Sequence, residues 1–225
     1  MTSRAAPTHS PHQPSELPVH KPRLRGWIHL IAAPIALVAG LIAIFQPEHT
    51  YQRVSVAVFA LCSVILFGSS AVYHLGNWTP KVRAVLRRVD HSNIFLLIAG
   101  TYTPLAVLLL ETSQTILLLS IIWSGALVGI AVRQLWLSAP RWVYVAVYLL
   151  LGWVAIWFLP DFYQAGGSAV VWCIVLGGVF YSLGAVAYGL KRPNPFPNTF
   201  GFHEVFHLCT VIAWASHATA VVLAW

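Results

Sequence analysis

VSVAVFALCSVILFGSSAVYHL, residues 54–75, contains no Lys, Arg, Asp or Glu and a single histidine near its end. At 1.5 Å of rise per residue such a helix covers about 33 Å, enough to cross the hydrocarbon core of a bilayer. A membrane β-strand would instead show about ten residues of alternating polarity. The run therefore reads as a spanning helix. Comparable runs lie on either side of it, at 27–45, 91–110, 116–137, 142–159, 168–189 and 204–225. Together they predict an all-α membrane protein, a seven-transmembrane helix bundle over residues 27–225. Residues 1–26 are polar and proline-rich (Pro7, Pro11, Pro14, Pro18, Pro22) and predict a disordered tail. With no early apolar core, this tail does not read as a cleaved signal peptide. His9, His12 and His20 within it offer only a loose compositional signal for metal.

Composition agrees. The 225 residues include 13 Lys+Arg and 6 Asp+Glu, so 8% are charged while 58% are hydrophobic. A soluble domain carries roughly a quarter charged residues. The deficit excludes a soluble enzyme, a nucleic-acid partner and a disordered chain. Cys62, Cys173 and Cys209 all fall in apolar stretches, where small buried hydrophobes are expected instead of disulfides.

Basic residues set the expected orientation. Arg4, Lys21, Arg23 and Arg25 precede the first span, and Lys81, Arg83, Arg87 and Arg88 follow the second. Arg133, Arg141, Lys191 and Arg192 fall on the same side, leaving Arg53 alone opposite. The positive-inside bias predicts a multi-pass protein of the cell membrane, its N-terminus cytoplasmic and Trp225 extracytoplasmic. Within the second basic loop, Val82, Val85, Leu86 and Val89 recur at helical spacing. The loop reads either as a short helix on the anionic inner leaflet or as a solvated basic connection. Pro34 and Pro104 should bend their helices, with Thr101 and Thr103 bonding back to carbonyls. Gly125, Gly129, Gly177 and Gly178 predict close helix contacts.

Several chemistries are missing. No phosphate-binding P-loop and no G-x-S-x-G elbow occurs. All three lysines (Lys21, Lys81, Lys191) lie outside the spans, which excludes a retinal Schiff base. No acidic ladder crosses the membrane as in an ion pump.

Ionisable residues inside spans are costly. The topology brings His74, Asp90, His203 and His207 to one depth, near the cytoplasmic boundary. His203 and His207 are four apart and share a helix face, a two-point grip on a zinc-like ion. His74 supplies a third nitrogen and leaves a fourth position for water, the pattern of a catalytic Zn2+ site. Asp90 would orient that water or take its proton. Ser70, one turn from His74, would hydrogen-bond within the site or to substrate. The competing reading has each histidine bonded to lipid headgroups. His203 to His207 also matches H-E-x-x-H, which leaves Glu204 either a general base or a polar residue at the water boundary. His217 lies about 15 Å beyond His207 along the helix, too far to share an ion, and reads as a buried hydrogen-bonding residue. His91 is a candidate neighbour of Asp90. His29 has the right depth but no partner spacing.

Three blocks carry a family likeness: Ser70-Ala-Val-Tyr-His74, the stretch from Arg87-Arg88-Val-Asp90-His91 to Gly100-Thr-Tyr-Thr-Pro104, and His203-xxx-His207 with His217. They closely resemble the bacterial hemolysin III proteins, which belong with the progestin and adipoQ receptors, including the adiponectin receptors. Alkaline ceramidases are more distantly similar. The resemblance covers roughly residues 22–225. It implies seven helices, a cytoplasmic N-terminus and an intramembrane zinc on His74, His203 and His207. Asp90 and Ser70 fall on the family's motif aspartate and serine, while Glu204 departs from its usual pattern. Family members are linked to hemolysis, to membrane lipid homeostasis and, in the receptor branch, to ceramide hydrolysis. The expected function is thus a zinc-dependent hydrolase acting on a membrane lipid amide or ester. The alternatives are a non-enzymatic sensor or regulator of membrane lipids with structural zinc, and a cytolysin. The last is weakened by the absence of a polar stripe that would line a pore. Haem ligation is weakened because His203 and His207 share one face and cannot bracket an iron.

Overall fold

The structure, a computed structural model, describes residues 22–136 and 140–225. Its order is α1 (Trp27–Ile44), α2 (Thr50–Leu75), α3 (Pro80–Leu109), α4 (Thr112–Leu135), α5 (Arg141–Gly152), a 3-10 segment (Trp153–Phe158), α6 (Leu159–Leu190) and α7 (Phe202–Leu223). The chain is a helical, multi-pass membrane protein: six segments among the described residues are long and apolar enough to cross a bilayer. Large apolar side chains such as Leu61, Ile116, Val128 and Trp172 are more than half exposed on the outer surface. A lipid-facing surface accounts for them; an aqueous one does not.

Residues 1–21 of the expected tail lie outside the described residues, and with them His9, His12 and His20. Residues 22–26 are tied to the α6–α7 connection. Arg23 and Leu24 donate backbone N–H groups to the carbonyls of Asn198 and Thr199, at 3.1 and 3.2 Å.

Five expected spans each match one helix. The other two, 142–159 and 168–189, fall in a single 50-residue apolar segment, Arg141–Leu190. This segment turns back on itself. Arg141 donates to the Tyr188 carbonyl (3.1 Å), and Trp153 Nε1 donates to Ser182 Oγ (2.9 Å), so α5 runs antiparallel to the end of α6. Gly167 interrupts α6 with φ 75° and ψ −175°, a conformation closed to residues with a Cβ.

The basic segment after α2 is helical but does not form a separate surface helix. Thr79 caps α3 by accepting from the Val82 N–H, and Pro80 occupies the first turn, where its missing N–H costs nothing. No breaker follows before Asp90, so α3 runs unbroken for 30 residues. It is the central helix: 72% of its most apolar stretch is buried, against 17% in α1 and 22% in α4. Thr101 and Thr103 bond back to the carbonyls of Leu97 and Ala99, each at 2.8 Å. The carbonyl deprived of its donor by Pro104 is that of Gly100, one turn earlier, so these bonds reinforce the turn around the bend.

Close approach is enforced by small residues. A Cβ at Gly129 would sit 2.3 Å from the Phe95 ring, and one at Gly177 would sit 2.3 Å from His217 Nε2. Gly177→Ala is accordingly expected to push His217 off the Ile174 carbonyl and to cost about 1–3 kcal/mol by overpacking. Equilibrium unfolding in detergent measures this. Gly178→Ala is the control, since its added Cβ would meet Trp153 at an ordinary 3.5 Å.

Candidate metal centre

One end of the bundle gathers polar groups from four helices. The last turn of α2 presents Ser70 and His74, four residues apart on one face. The first turns of α7 present His203 and His207 with the same spacing. Asp90 comes from α3 and His29 from the start of α1. The expected convergence of His74, His203 and His207 is present. A nitrogen from each lies within 4.8 Å of the other two.

The three rings stand edge-on to one another around a common point. Centroids are 4.8 Å apart for His74–His203, 5.1 Å for His74–His207 and 4.7 Å for His203–His207, with interplanar angles of 62–74°. Nε2 of His74 and Nε2 of His203 approach to 3.2 Å. Zinc–nitrogen bonds of about 2.0–2.1 Å in a tetrahedron separate ligand nitrogens by roughly 3.3–3.4 Å. One edge of the triangle is already close to that length, at 3.2 Å, and a side-chain adjustment of about 1.4 Å would close a separation of 4.8 Å. His207 Nδ1 is fully buried and makes no hydrogen bond among the described residues. Buried polar atoms in that state carry an unpaid desolvation cost. The donor set suits a borderline-soft divalent ion.

Asp90 stands at the edge of this group. Its Oδ2 lies 4.0 Å from His74 Nε2 and 3.4 Å from His91 Nδ1. His91 is fixed in turn by Tyr188, whose hydroxyl is 3.0 Å from Nε2. His217 is buried deeper, with Nε2 3.0 Å from the Ile174 carbonyl, which matches the hydrogen-bonding role expected for it.

Two features escaped the sequence. His29 stacks on His207 with centroids 3.8 Å apart and planes 12° from parallel, its far edge against Phe67. No i,i+4 partner flags it; only its depth in the first helix gives a signal. Glu204, read either as a general base or as a polar residue at the water boundary, is fully buried. Its Oε2 accepts the Gly201 N–H at 2.8 Å and its Oε1 accepts from Arg25 Nε. Both oxygens are engaged, one by the N-cap of α7 and one by Arg25 ahead of α1, which weakens the general-base reading of H-E-x-x-H.

Two spaces meet at the centre. A cleft of about 1070 Å³ opens beside His74, Asp90 and His203. A narrow apolar cavity of about 100 Å³ runs inward from Ser70, Asp90 and His207 past Tyr102 and Leu105 to Phe162. Asp90, Ile94, Tyr148, Ala185 and Phe206 line both.

Comparison with known proteins adds a lineage. The family described as "Haemolysin-III related" matches residues 17–218. A "Hemolysin-3 homolog" of Bacillus subtilis (strain 168) is 32% identical over 178 residues, 79% of this chain and 80% of that protein. "Hemolysin-3" of Bacillus cereus is 30% identical over 183 residues, 80% of each chain. An "Adiponectin receptor protein" of Drosophila melanogaster is 24% identical over 215 residues, 85% of this chain and 48% of the receptor.

Proposed function

The chain belongs to the haemolysin-III related family, and from that premise we propose that it is a zinc-dependent hydrolase cleaving an amide or ester bond of a membrane lipid. The observation that carries this reading is the closure of His74, His203 and His207 beside Asp90, at the mouth of an apolar cavity.

In this reading the three imidazoles hold Zn2+. The bound ion supplies a Lewis acid and lowers the pKa of a bound water to about 7. The protein does the rest. Asp90, flanked by His74 and His91, accepts the proton of the attacking water. Ser70, beside the Asp90 carboxylate, donates its hydroxyl to the lipid carbonyl. His29 holds the His207 ring in place by stacking, and the apolar cavity takes the methylenes next to the reacting carbonyl. The carbonyl carbon gains a bond to oxygen, its bond to the leaving amine or alkoxide breaks, and that group leaves with the proton from Asp90.

The membrane frame belongs to the same proposal. Seven spans follow if α5 with its 3-10 extension and α6 cross separately, a reading supported by their antiparallel packing and by the break at Gly167. The distribution of basic residues favours a cytoplasmic N-terminus and an extracytoplasmic Trp225, with residues 27–225 as the membrane domain. The histidine centre then lies near the inner leaflet.

Fatty-acid release from a panel of lipid amides and esters tests the activity. Asp90→Asn is expected to lower release by at least about 100-fold, the range for a lost general base, while retaining zinc. His203→Ala is expected to lose both. Full zinc with no release from any lipid would defeat the hydrolase and leave a membrane regulator with a structural metal.

A further inference from the structure

The cleft outside the histidines has a charge imbalance that hydrolysis leaves unused. Arg25, Arg83, Arg87, Arg133 and Arg141 line it, and Asp90 is its one carboxylate among the described residues. Arg25 is neutralised by Glu204. Among the described residues no carboxylate neutralises Arg133. It is only 7% exposed, its Nε is sealed from solvent without a hydrogen-bond partner, and it makes no ion pair with a described residue.

A guanidinium cannot shed its proton to escape burial, so a nearly buried one with no counter-charge among the described residues favours an anion in the cleft it lines. Its Cζ lies 4.9 Å from the Tyr144 ring centroid, a contact that offsets part of the cost and fixes the plane. Arg141, from α5, is held similarly. Its Cζ is 4.5 Å from the Tyr188 centroid, and one N–H donates to the Tyr188 carbonyl. Two guanidiniums, each anchored on an aromatic face and each lining the cleft, present charged N–H donors of the kind that recognise phosphate.

We propose that Arg133 and Arg141 bind a phosphate group, and that a lipid headgroup carries it. The lipid assignment comes from the junction of the two spaces. Because cleft and apolar cavity share Asp90, Ile94, Tyr148, Ala185 and Phe206, one amphiphile can reach both, its phosphate in the cleft and a few methylenes of its acyl chain in the cavity. As a statement about substrate class this rests on the hydrolase reading; as a statement about binding it does not.

The test uses the full chain in neutral detergent, with binding read by thermal unfolding and by titration of dioctanoyl phosphatidic acid, dioctanoyl glycerol and inorganic phosphate. Phosphatidate is expected to bind at least about tenfold more tightly than the uncharged diacylglycerol, with inorganic phosphate competing weakly. Arg133→Gln is expected to remove that preference while leaving the ligand-free Tm unchanged or raised, because an unpaired buried charge is gone. A merely structural arginine would lower that Tm. Should Arg133→Gln fail to fold, half-exposed Arg141→Gln carries the same expectation for the preference. Equal binding of phosphatidate and diacylglycerol, or a preference untouched by both variants, overturns the site. Inorganic phosphate binding as tightly as phosphatidate overturns the headgroup assignment. His207→Ala, whose ring lines the apolar cavity and not the cleft, separates this proposal from the previous one: it is expected to lose turnover yet bind inorganic phosphate as the parent does.

Discussion

His207→Ala protein purified in neutral detergent is expected to hold less than about a tenth of an equivalent of zinc, where the parent chain holds close to one. The size of the effect follows from the geometry. His203 and His207 project from one face of α7, so the helix itself fixes their spacing before any ion binds. Removing either leaves one imidazole on α7 and one on α2, a pair without that preorganisation. His74→Ala should have the same consequence from the other side, because Nε2 of His74 lies only 3.2 Å from Nε2 of His203. His29→Ala should have a smaller one. It takes away the ring stacked 3.8 Å from His207 without removing a ligand, and about 10–100-fold in affinity is the usual consequence of disturbing such a support. His217→Ala should retain full zinc, since that ring is committed to the Ile174 carbonyl. Elemental analysis together with chelator competition measures the series. Stoichiometric zinc surviving in His74→Ala would mean that α2 takes no part in the centre.

Much of this architecture was legible in the sequence because a bilayer imposes one rule on the whole chain. Backbone groups have no water to bond in hydrocarbon, so each apolar run of sufficient length becomes a helix, and five of the expected spans match single helices. The i,i+4 spacing of His203 and His207 was equally readable, being a property of one helix. The region from 141 to 190 was harder. Continuous apolarity marks what lies in lipid but not where a chain reverses, and this reversal runs through a 3-10 segment and a single glycine of positive φ. The length of α3 was missed for a related reason. Hydropathy ends where charge begins, whereas the helix starts at the Thr79-Pro80 capping signal. Contacts between distant segments left the weakest trace. The stacking of His29 on His207 and the engagement of Glu204 by Arg25 join α1 and the residues before it to α7, across about 180 positions of sequence.

Glu204 supplies the second large effect. Its carboxylate is fully buried, and its charge is balanced by Arg25, which is itself mostly shielded from solvent. The same carboxylate closes the N-terminus of α7 by accepting the Gly201 N–H. Glu204→Ala therefore strands a buried guanidinium and a helix N–H together. Breaking one side of a buried pair typically costs about 3–5 kcal/mol, and unfolding in detergent should register a loss of that order. The double variant Arg25→Met/Glu204→Met should recover most of it, because no lone charge remains and apolar side chains fill a similar volume. The cycle also decides what H-E-x-x-H means here. A structural tie predicts that the double variant, once folded, binds zinc and turns over lipid much as the parent does. A general base predicts the reverse, with stability restored and turnover lost. The engagement of both carboxylate oxygens, by Arg25 and by the Gly201 N–H, favours the first outcome.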